Sequence, residues 1–305
     1  MTDSYPPHRI PISKWKKHNL IARHHRLKQF LPKTSPYSPG ALSGYLTRYG
    51  QVVIKSELGG GGNQVCRVSK CLRGYEWQDY RQTVRVRHLR DLRTSLPLWV
   101  AREQCVIQEY IDLLPMKERP TDIRIIVQRN ERGLFEMTGT FCKTAPSNRF
   151  VTNVKQGGTI DSLSRYLRAC CTDKTTRRQI RSTLVRVAVD VGNYFGAHFQ
   201  NSVYGIDLGL DHSYRVFIIE VNTKPSLEIL SEINGRMHQR ALALRLWNRT
   251  AIRPLTANTA NTANTANAED TQDTQDTQDT QDTQDDLPCT SATAEQEQES
   301  PDAIS

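Results

Sequence analysis

The sequence predicts an α+β fold, and two observations carry that prediction while a third bounds the folded body. Short β-branched runs bounded by turn residues recur between residues 52 and 221. Amphipathic stretches with helical spacing lie between and after them, the longest over 173–198 and 227–249. The charge is split. All 41 Lys+Arg and 20 of the 32 Asp+Glu fall in residues 1–254, a net +21 inside an overall +9, while residues 255–305 hold the other 12 acids and no base. The body of about 250 residues is enough for one large domain or two small lobes with a real core.

Residues 1–48 read as a basic helical segment. Leu20, Ile21, Leu27, Phe30 and Leu31 make a short amphipathic helix that must stop before Pro32. The next helix has Ser38 as N-cap, Pro39 at its first position, Leu42, Leu46 and Tyr49 at helical spacing, and Gly50 at its end. A first lobe is expected over 49–112. It holds the strand Val52-Val53-Ile54-Lys55, the loop Gly59-Gly60-Gly61-Gly62, a strand near 64–68, an Arg-rich helix over 79–96 and a strand at 105–111. A second lobe is expected over 113–250. Strands at 122–128 and 134–142 flank the turn Asn130-Glu131-Arg132-Gly133. A long helix follows with Ile180, Leu184, Val187, Val191 and Phe195 on one stripe, then strands at 204–210 and 214–221, then the closing helix.

Residues 251–305 are expected to be a disordered, low-complexity acidic tail. Four Thr-Ala-Asn triplets (256–267) and five Thr-Gln-Asp triplets (271–285) contain no large apolar residue, so they cannot offset their ordering entropy. No apolar run approaches the roughly 18–20 residues of a membrane span. The basic N-terminus lacks the apolar stretch of about 7–15 residues that a signal peptide needs. Seven cysteines, without CxxC or Cys/His zinc spacing, read as reduced thiols in a cytoplasmic protein.

Three constellations carry chemistry. Lys55 ends a strand ahead of four glycines, whose backbone can approach phosphate oxygens closely. Alone, the loop reads equally as a flexible hairpin. The second constellation joins Gly205-Ile206-Asp207 to Glu220-Val221-Asn222. With His212-Ser213 as a two-residue loop, Asp207 pairs with Ile218, on the face of Glu220 and Asn222. Two carboxylates and an amide among apolar neighbours suit a hard cation such as Mg2+; the alternative is a solvated strand face. The third is Gln108-Glu109-Tyr110-Ile111 followed by Asp122-Ile123-Arg124. Asp122 and Arg124 share a strand face, fit for a ribose and a phosphate, or simply a cross-strand ion pair.

Taken in order, these motifs, with Thr152-Asn153, Gly157-Gly158 and Asn222-x2-Pro225-Ser226, resemble the ATP-grasp superfamily over roughly residues 13–235. The opening Lys14-Trp15-Lys16-Lys17-His18, Leu31-Pro32-Lys33-Thr34 and Tyr49-Gly50 are similar to its YheC/YheD branch, called endospore coat-associated. The resemblance implies two α+β lobes with a nucleotide cleft between them, and ATP and Mg2+ as cofactors. It implies a ligase that activates a carboxylate as an acyl-phosphate for attack by an amine or thiol. Lys55 and Arg124 become the catalytic cations. Gly59, Gly60, Gly61 and Gly62 become the flap, Glu109, Tyr110 and Ile111 the adenine hinge, and Asp122 the ribose acid. Lys143 and Asn153 line the phosphate side, and Asp207, Glu220 and Asn222 hold Mg2+. The acceptor and nucleophile are unspecified, and the family name adds spore-coat proteins as partners and spore association. The alternative is a nucleotide-binding or catalytically degenerate structural protein of the coat. Nucleic acid is disfavoured, because basic charge without a recognised motif supports only salt-sensitive contact.

Overall fold

The paired strand signals build two antiparallel sheets. The computed structural model describes residues 13–250; the expected acidic tail and residues 1–12 of the basic segment lie outside the described residues. In chain order the elements are α1 (Lys14–Ala22), a 3-10 turn (Leu27–Phe30), β1 (Thr34–Pro36), α2 (Pro39–Tyr49), β2 (Gln51–Ser56), β3 (Val65–Cys71), β4 (Gly74–Gln78), β5 (Thr83–Val86), α3 (Leu89–Ser95), α4 (Leu98–Arg102), β6 (Cys105–Glu109), β7 (Thr121–Arg129) and β8 (Phe135–Thr144). A second 3-10 turn (Val154–Gln156), β9 (Thr159–Asp161), α5 (Leu163–Cys170), α6 (Lys174–His198), β10 (Val203–Leu210), β11 (Val216–Asn222), α7 (Ile229–Ile233) and α8 (Gly235–Thr250) complete it.

The first sheet runs β1-β6-β2-β3-β4-β5 and the second β11-β10-β7-β8-β9. Leu42 and Leu46 of α2 and Leu92 of α3 bury the first sheet through Val52, Ile54, Val68, Trp77 and Ile107. The stripe on α6 buries one face of the second sheet through Ile123, Ile125, Val127, Ile206 and Leu208, and Ile21 of α1 joins that core. The two helices of the basic N-terminal segment therefore serve different sheets. Strand alternation sends Asp122 and Arg124 to the opposite face of β7. That face is covered at its far end by Leu227, Leu230 and Ala241, and is otherwise open to the cleft. Among the described residues no helix is long and apolar enough to cross a membrane.

Several expectations need correction. Residues 79–96 are not one helix. Thr83–Val86 is the edge strand β5, and only Leu89–Ser95 is helical. The deciding signal has period two: Val84 pairs with Trp77, while Arg85 pairs outward with Glu76. The first helix lies earlier than Leu20–Leu31 spacing predicts, because Ser13 Oγ caps it by accepting from Lys16 N at 3.2 Å. The closing helix breaks at Asn234, which is extended (φ −161°) and whose Oδ1 accepts from Met237 N to start α8.

The β10–β11 hairpin also has a different register. Its loop spans Asp211 to Arg215, with Tyr214 at φ +60° and Asp211 Oδ1 accepting from Ser213 N and Arg215 N. Asp207 pairs with Glu220 rather than Ile218, and Leu208 pairs with Ile218. Ile219 is the extra residue of this bulge. It reverses the alternation, so that Ile218 enters the core at 3% exposure while Glu220 turns to the cleft. Without it the carboxylate and Ile218 would share one face, and one of them would be misplaced.

Candidate functional site

A cleft of about 470 Å³ opens between the two sheets. Every residue singled out from the sequence lines it: Lys55, Gly59, Gly60, Gly61, Gly62, Glu109, Tyr110, Ile111, Asp122, Arg124, Lys143, Asn153, Asp207, Glu220 and Asn222. Two cavities of similar size, about 420 Å³ beside Gln29 and Tyr214 and about 500 Å³ beside Arg132 and Trp247, contain none of them. Chemistry rather than volume marks the site.

Its floor is written across the second sheet. Glu220, Asp207 and Arg124 are successive partners on β11, β10 and β7, and Asp122 faces Lys143 on β8 one row away. Asp207 is the hub. Arg124 Nη2 donates to its Oδ2 at 2.7 Å and Arg124 Nε donates to its Oδ1. Lys143 Nζ donates to Oδ1 at 3.2 Å and Asn222 Nδ2 to Oδ2 at 3.1 Å. Gly205 makes room for this pair: a Cβ there would lie 3.1 Å from Arg124 Cδ.

Burial alone would raise the Asp207 pKa, but Arg124 and Lys143 outweigh it and hold it down to about 2. Asp122 has the opposite fate. Burial, only partly offset by Lys143, pushes it up to about 6. Its Oδ2 accepts from Thr152 Oγ1 at 2.6 Å and lies 3.2 Å from Lys143 Nζ, while its buried Oδ1 has no partner.

The roof is the loop after β2. Lys55 Nζ donates to Gln108 Oε1 at 2.8 Å, and burial pushes its pKa down to about 8 against the pull of Glu220. Gly61 and Gly62 have φ of +67° and +74°, which only glycine takes readily. At the end of β6, Glu109 N donates to Lys33 O at 3.0 Å and Glu109 Oε1 accepts from Lys33 N at 2.7 Å. Tyr110 and Phe150 hold the Arg67 guanidinium between their rings, at 5.6 and 5.5 Å from the centroids.

Sequence reasoning missed several members. Lys14 Nζ donates to Gly59 O and lies 3.8 Å from Glu220 Oε1; buried Lys17 donates to Val221 O at 2.7 Å. Both sit three apart at the start of a helix capped by Ser13, a signal present in the sequence. Gln108 and Thr152 stood within quoted motifs but were given no role of their own, because those roles depend on partners 53 and 30 residues away.

The donors fit a nucleotide with a hard cation. Glu220 and Asn222 offer oxygens and no sulfur or imidazole; Asp207, whose two oxygens already take four donor contacts, would join them by giving one up, and among the described residues no group of three or more His, Cys, Asp or Glu stands placed to hold a metal ion. Six basic residues share the cleft with them, Lys14, Lys55, Arg124, Lys143, Lys155 and Lys224.

Comparison with known proteins agrees with this geometry. The family model "YheC/D like ATP-grasp" matches residues 8–251. The endospore coat-associated protein YheD of Bacillus subtilis (strain 168) is 23% identical over 241 residues, 73% of this chain and 50% of that protein. YheC of the same organism is 20% identical over 236 residues, 72% of this chain and 62% of that protein. The chain thus spans about half to three fifths of the curated relatives it matches. The crystal structure of the C-terminal domain of K. lactis Pby1, an ATP-grasp enzyme, aligns with a TM-score of 0.46 at 16% identity, covering 81% of this chain and 73% of that one. With its family matched over most of its length, this α+β chain has the ATP-grasp fold and belongs to the YheC/D-like ATP-grasp family.

Proposed function

We propose that the protein is an ATP- and Mg2+-dependent ligase that activates a carboxylate as an acyl-phosphate for attack by an amine or thiol. One observation carries the reading: a single cleft collects the glycine loop, six basic residues that include Lys55, Arg124 and Lys143, and the oxygen set on opposing sheets. Mg2+ held by Asp207, Glu220 and Asn222 would supply charge neutralisation at the phosphates. The chain's own groups do the rest. The backbone around Glu109, Tyr110 and Ile111 seats the adenine through groups other than Glu109 N and Tyr110 N, which are given to Lys33 O and Gln51 O. Lys55, Lys143 and Arg124 offset negative charge as it develops on the transferred group. The flap excludes solvent, and Phe141 and Ile229 keep the far wall apolar. We assign Asp122 to orienting Lys143, which it meets at 3.2 Å, ahead of the ribose role that the family resemblance implies. No nucleophile from the protein is needed in this scheme, because acceptor and nucleophile are both substrates. The spore association named for YheD and YheC is taken as the setting.

The test is ADP release from the purified full chain against pools of amino acids, small carboxylic acids and acidic peptides. Release stimulated by one pool and abolished by Lys55→Ala supports the ligase. Saturable ATP binding with no stimulation by any pool would sink turnover and leave a nucleotide-binding protein.

A further inference from the structure

The segment between β8 and β9, residues 145–158, belongs to the second sheet by sequence yet reaches the first at two separate places. Gln156 Nε2 donates to Gly61 O at 3.2 Å and to Asn63 Oδ1 at 2.9 Å, and Asn153 Nδ2 also donates to Gly61 O. At the other place Gln78 Nε2 donates to Asn148 O at 2.9 Å and Arg149 Nη1 donates to Asp79 O at 3.1 Å. The segment is stiffened for this work. Asn153 Oδ1 caps its 3-10 turn by accepting from Lys155 N at 2.9 Å, which fixes which end of the amide faces the flap. Gly157 closes the turn at φ +89°.

Packing agrees with the hydrogen bonds. A Cβ on Gly62 would lie 2.8 Å from Val151 Cγ1 and 3.4 Å from both Asn153 Nδ2 and Gln156 Nε2. Gly62 is thus a glycine for close approach as well as for its positive φ. Nothing lies within 4 Å of the corresponding position on Gly60. The flap meets this segment at Gly61 and Gly62 and is open at Gly60, while Gly59 at its base is held by Ser56, Gln64 and Lys14.

We infer that residues 145–158 form a latch that holds the glycine flap closed from the opposite lobe, with Gln156 as its positioning residue. Gln156 supplies two donors to acceptors on either side of Gly62, so both must break before the flap lifts. The anchor at Gln78 and Asp79 makes flap closure and lobe closure one event. The latch itself stands on geometry alone; its consequence for ligand residence rests on reading the cleft as the nucleotide site.

The test is hydrogen exchange of the full chain without nucleotide, comparing wild type, Gln156→Ala and Gln156→Glu. Losing two exposed hydrogen bonds should speed exchange of amides 59–63 about five-fold. Gln156→Glu, which turns a carboxylate toward two oxygens, should speed it further. Exchange in β7 and β10 should stay unchanged. Flap exchange equal to wild type in both variants would overturn the latch, and so would a uniform increase across both sheets. A second arm measures ATP dissociation with Mg2+ present. About five-fold faster release in Gln156→Ala supports the coupling. Faster flap exchange with an unchanged release rate would overturn it, and failure of wild type to bind ATP would strike the reading of the site while leaving the exchange result standing.

Discussion

Asp207→Asn is the most informative single substitution. Asp207 is 4% exposed and takes four donor contacts from Arg124, Lys143 and Asn222. The change removes the charge and turns an amide N–H toward cations that need acceptors. Removing one partner of a buried ion pair costs about 3–5 kcal/mol. Lys143 keeps Asp122 at 3.2 Å, so the lower end, about 3 kcal/mol, is expected. For a domain of this size that is a fall in Tm of about 6–12 °C, read by thermal unfolding. The pH dependence sharpens the test. Asp207 titrates near 2, below its ordinary 3.8, so its stabilisation is complete above 3.8 and is lost as pH falls through 2. The deficit of the variant should therefore hold from pH 8 down to pH 4. Arg124→Met in the same background should recover part of the loss, because both ends of the pair are then neutral. A Tm within about 2 °C of wild type would refute the buried hub.

Three further outcomes follow from the same structure. Asp122 is raised to about 6 from 3.8, so its contribution to stability is full below pH 3.8 and is lost as pH rises through 6. Urea unfolding between pH 4 and 7 should show a falling limb that Asp122→Asn flattens; an unchanged slope contradicts the assignment. Lys55 titrates near 8, so ATP affinity measured by calorimetry should weaken as pH rises from 7 to 9, and Lys55→Arg should remove the midpoint. A midpoint kept in Lys55→Arg would place the titration elsewhere. Gly74→Ala should cost about 3 kcal/mol, since φ is +132° and a Cβ would lie 2.2 Å from Val86 O, whereas Gly133→Ala, at φ +82° with nothing within 4 Å, should cost about 1 kcal/mol. Equal losses on urea unfolding would show that the Gly74 contact relaxes.

Local signals were the legible ones. Ser38, Pro39 and Gly50 bound α2 as their chemistry requires, and Asp173 caps α6 by accepting from Thr176 N. The residues of the short motifs line the cleft, most of them on strands whose alternation was readable; Gly59, Gly60, Gly61, Gly62, Tyr110, Ile111 and Asn153 lie on loops between strands. What failed depended on partners far away in sequence. The bulge at Ile219 is invisible in the run Phe217-Ile218-Ile219, where every residue is apolar, so the face of Glu220 came out right through a wrong register. In 79–96 the arginines' helix propensity masked the alternation of Val84 and Val86, which only pairing with β4 rewards. Lys17 sits on a helix whose Ser13 cap was readable, yet its partner carbonyl is 204 residues distant, and that of Gln156 is 95 residues distant, so no window of sequence reports either contact.

Calorimetric titration of ATP into the full chain, with and without Mg2+, tests the central claim most directly. The account predicts saturable binding that Mg2+ strengthens, with the Mg2+ effect lost in Glu220→Gln while the nucleotide still binds. No heat of binding at millimolar ATP in either condition would contradict it.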